Sequence, residues 1–435
     1  MTSEPPRVRL DAPPAHAVRA AWAVFTVFVV AGVGMATWAS RLPAVRDGLG
    51  FTAEQMGLLL LTASIGSLVA LPLSGMIASR IGAARTCVAF AALAAVGFSV
   101  TTLAVDAGQP LVVRVGLFLG GMGVGIWDAA MNLEGAVVEQ RLGRSVMPRF
   151  HAGFSLGTVA GAGVGALAAH AGVPLSLHVI TVVLVDLVVV LVCVRFFEPT
   201  AHAADGSTGS TASTGSTTPD TQADPATAVD TGTGHTLRDT LATWRESRTL
   251  LVGLVVLAAA LTEGAANDWV GLAVVDGFRV DDSIGAIGLA VFLCAMTLAR
   301  LAGTSLIDRY GRVPMLRACG AAALVGVLVF ALVPTLWVAL VGVAIWGAGA
   351  SLGFPLGMSA ASDDPRRAAL RVSVVSTVGY SAFFVGPALI GFLAEHVGYR
   401  DALLVLAVPV ALGLVVAGAA KPLPAAPDPA RTLDG

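Results

Sequence analysis

Charge is what this sequence has least of. Only 12% of its 435 residues are Asp, Glu, Lys or Arg, against roughly 25% in a soluble globular domain. Together with a hydrophobic share of 56% and a mean hydropathy of +0.82, that scarcity excludes water as the solvent for most of the chain. A formal net charge of −2 leaves no basic footprint for nucleic acid. Cysteine is scarce as well. Cys87, Cys193, Cys294 and Cys319 stand singly in apolar runs, with no CxxC pair and no histidine at ligand spacing, so they read as small packing residues rather than disulfides or metal ligands. Nor is there a nucleotide-binding loop, a cluster of metal ligands or a nucleophile with a partner base. An enzyme is disfavoured, no cofactor is implied, and any work the protein does draws on a gradient.

Long apolar runs are what the chain does have. About twenty apolar residues cross a bilayer core, and runs of that order recur near 20–40, 55–78, 86–105, 111–136, 148–170 and 174–196, then near 249–275, 284–306, 314–334, 336–358, 371–394 and 401–420. The first exceeds a signal-peptide core and follows a polar leader with paired prolines, so it reads as a retained helix. The pattern predicts an all-α membrane protein of twelve transmembrane helices in two pseudo-symmetric six-helix bundles. Its expected divisions are a leader (1–19), a first bundle (20–197), a linker (198–247), a second bundle (248–420) and a tail (421–435). Within the linker, Ala201 to Thr236 is a Thr, Ser, Gly, Ala and Pro tract with too few apolar residues to offset the entropy of ordering, which predicts a disordered tether.

Arginine placement orients the chain, because short cytoplasmic loops accumulate basic residues. With the N-terminus inside, the inner loops hold fifteen arginines, among them Arg80, Arg85, Arg141, Arg144, Arg149, Arg309, Arg312, Arg317 and Arg371, whereas the outer loops hold only Arg41, Arg46, Arg279 and Arg400. Both termini are therefore expected in the cytoplasm, in the inner (plasma) membrane of the cell. A repeat supports the even count. Gly75-Met-Ile-Ala-Ser79-Arg80-Ile-Gly82-Ala-Ala-Arg85 after the second run answers Gly303-Thr-Ser-Leu-Ile-Asp308-Arg309-Tyr-Gly311-Arg312 after the eighth. The arginines are 309 − 80 = 229 positions apart, and 20 + 229 = 249 is the start of the seventh run. A single offset is thus expected to align the halves.

These two loops resemble the cytoplasmic loop of the major facilitator superfamily, Gly-x-x-x-Asp-Arg-x-Gly-Arg-Arg. The resemblance implies the major facilitator fold and a cytoplasmic latch formed by Ser79, Arg80 and Arg85 in one copy and Asp308, Arg309 and Arg312 in the other, the acid facing a helix N-terminus of the opposite arm. Ser79 departs from the pattern by lacking the charge. The bland alternative is that these arginines only enforce topology. Trp38-Ala-Ser-Arg41-Leu42-Pro43, Trp127-Asp128-Ala-Ala-Met-Asn132, Glu263-Gly264-Ala-Ala-Asn267-Asp268-Trp269 and Gly386-Pro387 resemble, more narrowly, the fucose-permease-related bacterial permeases. There a helix 4 carboxylate four residues before an asparagine takes the coupling proton, and Asp128 with Asn132 matches that spacing, with Asp in place of Glu.

Independently of resemblance, each charge at a helix centre costs about 2.5 to 3.5 kcal/mol on insertion scales. Asp128, with Asn132, Gly135 and Glu139 on its face, predicts a polar stripe running inward along the fourth helix. Glu263 and Asn267 form a second patch on the seventh. The offset of 229 maps Asp128 to Gly357 and Glu263 to Gly34; residues without a symmetric copy point to use rather than scaffold. Asp128 and Glu263 are the expected proton-coupling acids, the plainer reading being a hydrogen bond to a neighbouring helix. Trp127, Asn132, His151, Asn267, Asp268, Trp346 and Tyr380 are expected around the substrate cavity, although the tryptophans could equally pack and His151 could be a solvated cap. Trp38 and Trp269 read as interface anchors. Asp186 in the sixth helix has no role on this reading. The expected partners are a small polar solute, protons and the lipid bilayer, with the protein a monomer. A proton-driven exporter of drugs or metabolites is the alternative, disfavoured because Gly157, Gly161, Gly163 and Gly165 include no Gly-Pro. A non-transporting sensor is disfavoured by the want of a soluble domain.

Overall fold

The computed structural model describes residues 15–144, 146–198, 241–364 and 367–423. The tether within 198–247, most of the leader and most of the tail lie outside the described residues. Twelve helices among those described are long and apolar enough to cross a membrane: α1 Ala15–Ser40, α2 Ala53–Ile81, α3 Ala83–Asp106, α4 Pro110–Leu142, α5 Met147–His170, α6 Leu175–Phe196, α7 Ser247–Phe278, α8 Asp282–Tyr310, α9 Arg312–Leu332, α10 Leu336–Ala361, α11 Leu370–Val397 and α12 Tyr399–Ala420. The first begins at Ala15, ahead of the apolar run that starts at Ala20. A two-turn helix, Leu42–Leu49, follows α1 and ends in a left-handed Gly50.

Local sequence explains the ends. Thr52 and Gln55 form a reciprocal capping box at the start of α2, and Gln109 hands over to Pro110 at the start of α4, where a missing N–H costs nothing. The tight turns after α2 and α8 are made by Gly82 and Gly311, with φ of +84° and +81°, which a side chain would strain. These are the shared glycines of the repeated loop. At the other face, Arg400 closes the end of α9 by donating to the carbonyls of Phe330, Ala331 and Val333.

The repeat is real, but its offset is not uniform. α2 and α8 match end to end at 229 (53 + 229 = 282; 81 + 229 = 310). In the fourth and tenth helices the correspondence slips. A side chain at Gly97 would meet Gly116 and Gly120, and one at Gly326 would meet Gly342 and Trp346; Gly121 abuts Ala63 as Gly347 abuts Phe292. The first pair of each set obeys 326 − 97 = 229, but the packing partners obey 342 − 116 = 226. α9, with 21 residues against the 24 of α3, absorbs the three residues. Asp128 therefore corresponds to Phe354, not to Gly357. The inference from asymmetry survives, because Phe354 is no more an acid than Gly357.

Glycine-mediated contacts hold each half. The α3–α4 seam uses Gly97, Gly116, Gly120 and Gly123, and the α1–α5 seam uses Gly32, Gly157 and Gly161 against backbone. Dispersion and close backbone approach replace hydrophobic drive where the surroundings are lipid. Between halves, α5 lies along α8 and α2 along α11. At the face opposite the termini, a side chain at Gly57 would come 2.5 Å from the Pro387 carbonyl and 3.1 Å from Gly391. There Arg46 also pairs with Asp276 of the other half at 2.6 Å. Burial lowers the Arg46 pKa, but hydrogen bonds to Asp276 and Asp47 outweigh it and raise the guanidinium above its ordinary value. The other half of α11, Ala368–Tyr380, packs chiefly against α7 and α10 of its own bundle. The halves are thus joined at the far face and part towards the face that carries the termini.

Candidate functional site

Two stations of polar side chains occupy the middle of the helices. On α4, Asp128 is exposed although Trp127 and Ala130 around it are buried. A lipid-facing carboxylate would be unstable, so its exposure marks the seam between halves. From the other half, Tyr380 of α11 comes within electrostatic range of Asp128. Tyr380 is 43% exposed and stands between Phe354 and Phe383, with ring centroids 6.0 and 6.2 Å away. It is the last residue before the helical run is interrupted at Ser381.

The second station is within the C-terminal half. Glu263 of α7 is 3.7 Å from the Nη2 of Arg300 on α8, each side chain about 30% exposed. That separation is an ion pair without a hydrogen bond. The Nε of Arg300 donates to the Ser351 carbonyl at 3.2 Å. Ser351 and Leu352 are the break in α10, between Leu336–Ala350 and Gly353–Ala361, where the helix leaves carbonyls without internal partners. The neighbour of Glu263, Gly264, faces the Phe383 ring, so the aromatic group adjoins this station. Discontinuous helices at this depth are where membrane transporters place binding groups. No interaction joins Asp128 to Glu263 among the described residues.

Other expected positions are placed differently. The stripe on α4 is not one water-facing track. Asn132 is buried, its amide donating to the Asp128 carbonyl at 2.9 Å; Gly135 abuts Met147 and Phe150; and Glu139 accepts from the Val146 and Met147 N–H groups at 2.6 and 2.8 Å, capping α5. Trp127 is 7% exposed in a cluster with Val27, Phe28 and Met131. Trp346 is wholly buried beside Phe292 and Phe330. Both indoles pack, and neither lines an open cavity, because the α3–α4 and α9–α10 seams close over them. His151 is exposed, edge-on to Phe28 at 5.2 Å. Asn267 and Asp268 are half-buried on α7, beyond Glu263. Trp269 is no interface anchor: it is fully buried against Tyr399. Asp186 lies 2.7 Å from where a side chain at Gly34 would begin; the missing side chain makes room for the carboxylate.

At the terminal face, Ser79, Arg80, Arg85, Asp308 and Arg309 are exposed. The Ser79 hydroxyl turns back to the Met76 carbonyl, and Arg309 covers its neighbour Tyr310. Arg312 instead shares Asp363 with Arg248, at 2.9 and 2.7 Å, and Arg371 holds Glu246 at 2.6 Å. These ties stay within one half. Burial raises the Glu246 pKa, but bonds from Arg371 and Thr249 outweigh it and hold the carboxyl below its usual value. Arg300, Asp363 and Glu246 were not picked out by sequence reasoning. Arg300 had a signal: it is a charge well inside an apolar run. A crevice of about 520 Å³ on the far face, lined by Arg46, Asp276, Glu395 and Tyr399, contains none of the mid-depth acids.

The model of the Major Facilitator Superfamily matches residues 23–278 and 252–433. An uncharacterized transporter of Sinorhizobium fredii, y4wD, is 31% identical over 396 residues, covering 91% of this chain and 96% of that protein. The membrane protein MosC of Rhizobium meliloti is 26% identical, covering 91% and 88%. Among solved structures, the nucleoside transporter NupG superposes with a TM-score of 0.68 at 16% identity, covering 94% of this chain and 98% of that one. FucP in its outward conformation does so at 0.62 and 16%, covering 93% and 99%. At such identities the likeness is one of fold.

Proposed function

We propose, from the premise that this chain belongs to the major facilitator superfamily, that it imports a small polar solute together with protons. Membership makes it a secondary transporter; the direction, the proton and the solute class are the proposal. The observation that carries it is Asp128, a mid-membrane carboxylate exposed at helix centre, within electrostatic range of Tyr380 of the opposite half and without a symmetric copy. A carboxyl wetted first from one side and then from the other can ferry a proton. Each proton driven inward by 100 mV makes about 2.3 kcal/mol available for concentrating solute. Arginine bias puts the termini inside, so the parted face is cytoplasmic and this conformation faces inward. Rocking about the α2–α11 and α5–α8 seams would expose the same residues to the outside. The exposed loop arginines and Asp308 fit a latch that is undone in this state and closes when the inner face does.

The test is solute uptake into proteoliposomes under an imposed inward proton gradient, comparing the parent with Asp128→Asn. The parent is expected to concentrate its solute, whereas the variant equilibrates it without concentrating it. Uphill uptake by the variant equal to that of the parent would remove Asp128 from coupling.

A further inference from the structure

Arg300 is the mid-membrane charge that the proton reading leaves unused. A guanidinium has five N–H donors in a planar fork. Among the described residues only Nε is hydrogen-bonded, to the Ser351 carbonyl at the break in α10. Glu263 stands opposite Nη2 at 3.7 Å, too far for a hydrogen bond. The side chain is held at its stem by the broken helix and, being 31% exposed, leaves the rest of its fork accessible. The one group now facing that fork is itself a carboxylate. Phe383, against Gly264, and beyond it Tyr380 and Phe354 add an apolar wall.

We infer that Arg300 is the specificity-determining residue of the transport site, binding a carboxylate on the solute in bidentate fashion and exchanging Glu263 for it. The inference rests on the transport reading and sharpens it, from a polar solute to a carboxylic acid. Charge accounts for the placement. An isolated arginine inside the bilayer is costly, and Glu263 balances it when the site is empty, at a distance long enough to be displaced. Arg is suited to this role where Lys is not, because two parallel N–H bonds match the two oxygens of a carboxylate.

The experiment is thermal unfolding of the full chain in nanodiscs, followed by tryptophan fluorescence, with glucuronate, gluconate, glucose, glucosamine and inorganic phosphate as probes. Glucuronate or gluconate is expected to raise the Tm of the parent, and glucose and glucosamine are not. Glu263→Gln, which removes the competing charge, is expected to bind the acid several-fold more tightly, a gain that misfolding cannot imitate. Arg300→Lys and Arg300→Gln should weaken binding, the latter by roughly thirtyfold or more, as when a buried charge pair loses one member. The inference is overturned if neither acid stabilises the parent, if phosphate or a neutral sugar stabilises it and the acids do not, or if Glu263→Gln binds no better. Counterflow of the bound acid separates the two readings. Binding without carriage leaves the Arg300 assignment standing and sinks transport of that acid, whereas carriage of a neutral sugar unaffected by Arg300→Gln does the reverse.

Discussion

At the scale of single residues, position relative to a seam decides what a charge does. Asp128 and Glu139 lie on one face of α4, yet the first is exposed between halves and the second caps α5. The sequence presents both as one polar stripe, because helical spacing is blind to where the neighbouring helix ends. Trp127 and Trp346 show the same limit: an indole at helix centre reads as cavity or core until the adjacent helices are seen. Glu246 carries a prediction about pH. Its carboxyl is held below its ordinary value of 4.5, so the stabilisation it gives is fully present above that value and is lost as pH falls through the lower folded-state value. Glu246→Gln is expected to cost about 1 kcal/mol, between an exposed ion pair and a charged, partly buried hydrogen bond. In thermal unfolding the gap between parent and variant should be constant from pH 6 to 8 and should close below about 4.5.

At the scale of helices, interruptions and glycines set how elements meet. α10 and α11 break at Ser351 and Ser381, and both breaks adjoin mid-membrane polar or aromatic groups. The hydropathy of these runs is continuous, so the breaks could not be read from it; each is a local loss of helical bonding that neighbouring side chains accommodate. The α2–α11 seam makes a sharper prediction. Gly57→Val would drive a side chain into the Pro387 carbonyl and Gly391, costing about 1 to 3 kcal/mol in the closed seam. The expected result is separation at the far face. Spin labels at Glu54 and His396, in a background without the exposed Cys294, should report a longer distance than in the parent; an unchanged distance would mean that the seam yields elsewhere.

At the scale of the whole molecule, orientation is the prediction to check. A fluorescent protein fused after the C-terminus should fold and fluoresce in the cytoplasm, and alkaline phosphatase inserted after Gly172, in the α5–α6 loop, should be active outside. The opposite pattern would invert every statement about inside and outside made from arginine counting. Helix number, the two-fold repeat and the family were legible in sequence, because apolar run length, loop charge and the glycine of a left-handed turn are properties of the chain alone, set by bilayer thickness and backbone sterics. Which acid is exposed and which is capped, that Arg300 faces Glu263 from another helix, and that the halves part at one face only were decided by tertiary structure. They depend on distances between helices, and the three residues by which α9 is shorter than α3 are enough to change the correspondence of α4 with α10 that a uniform offset implies.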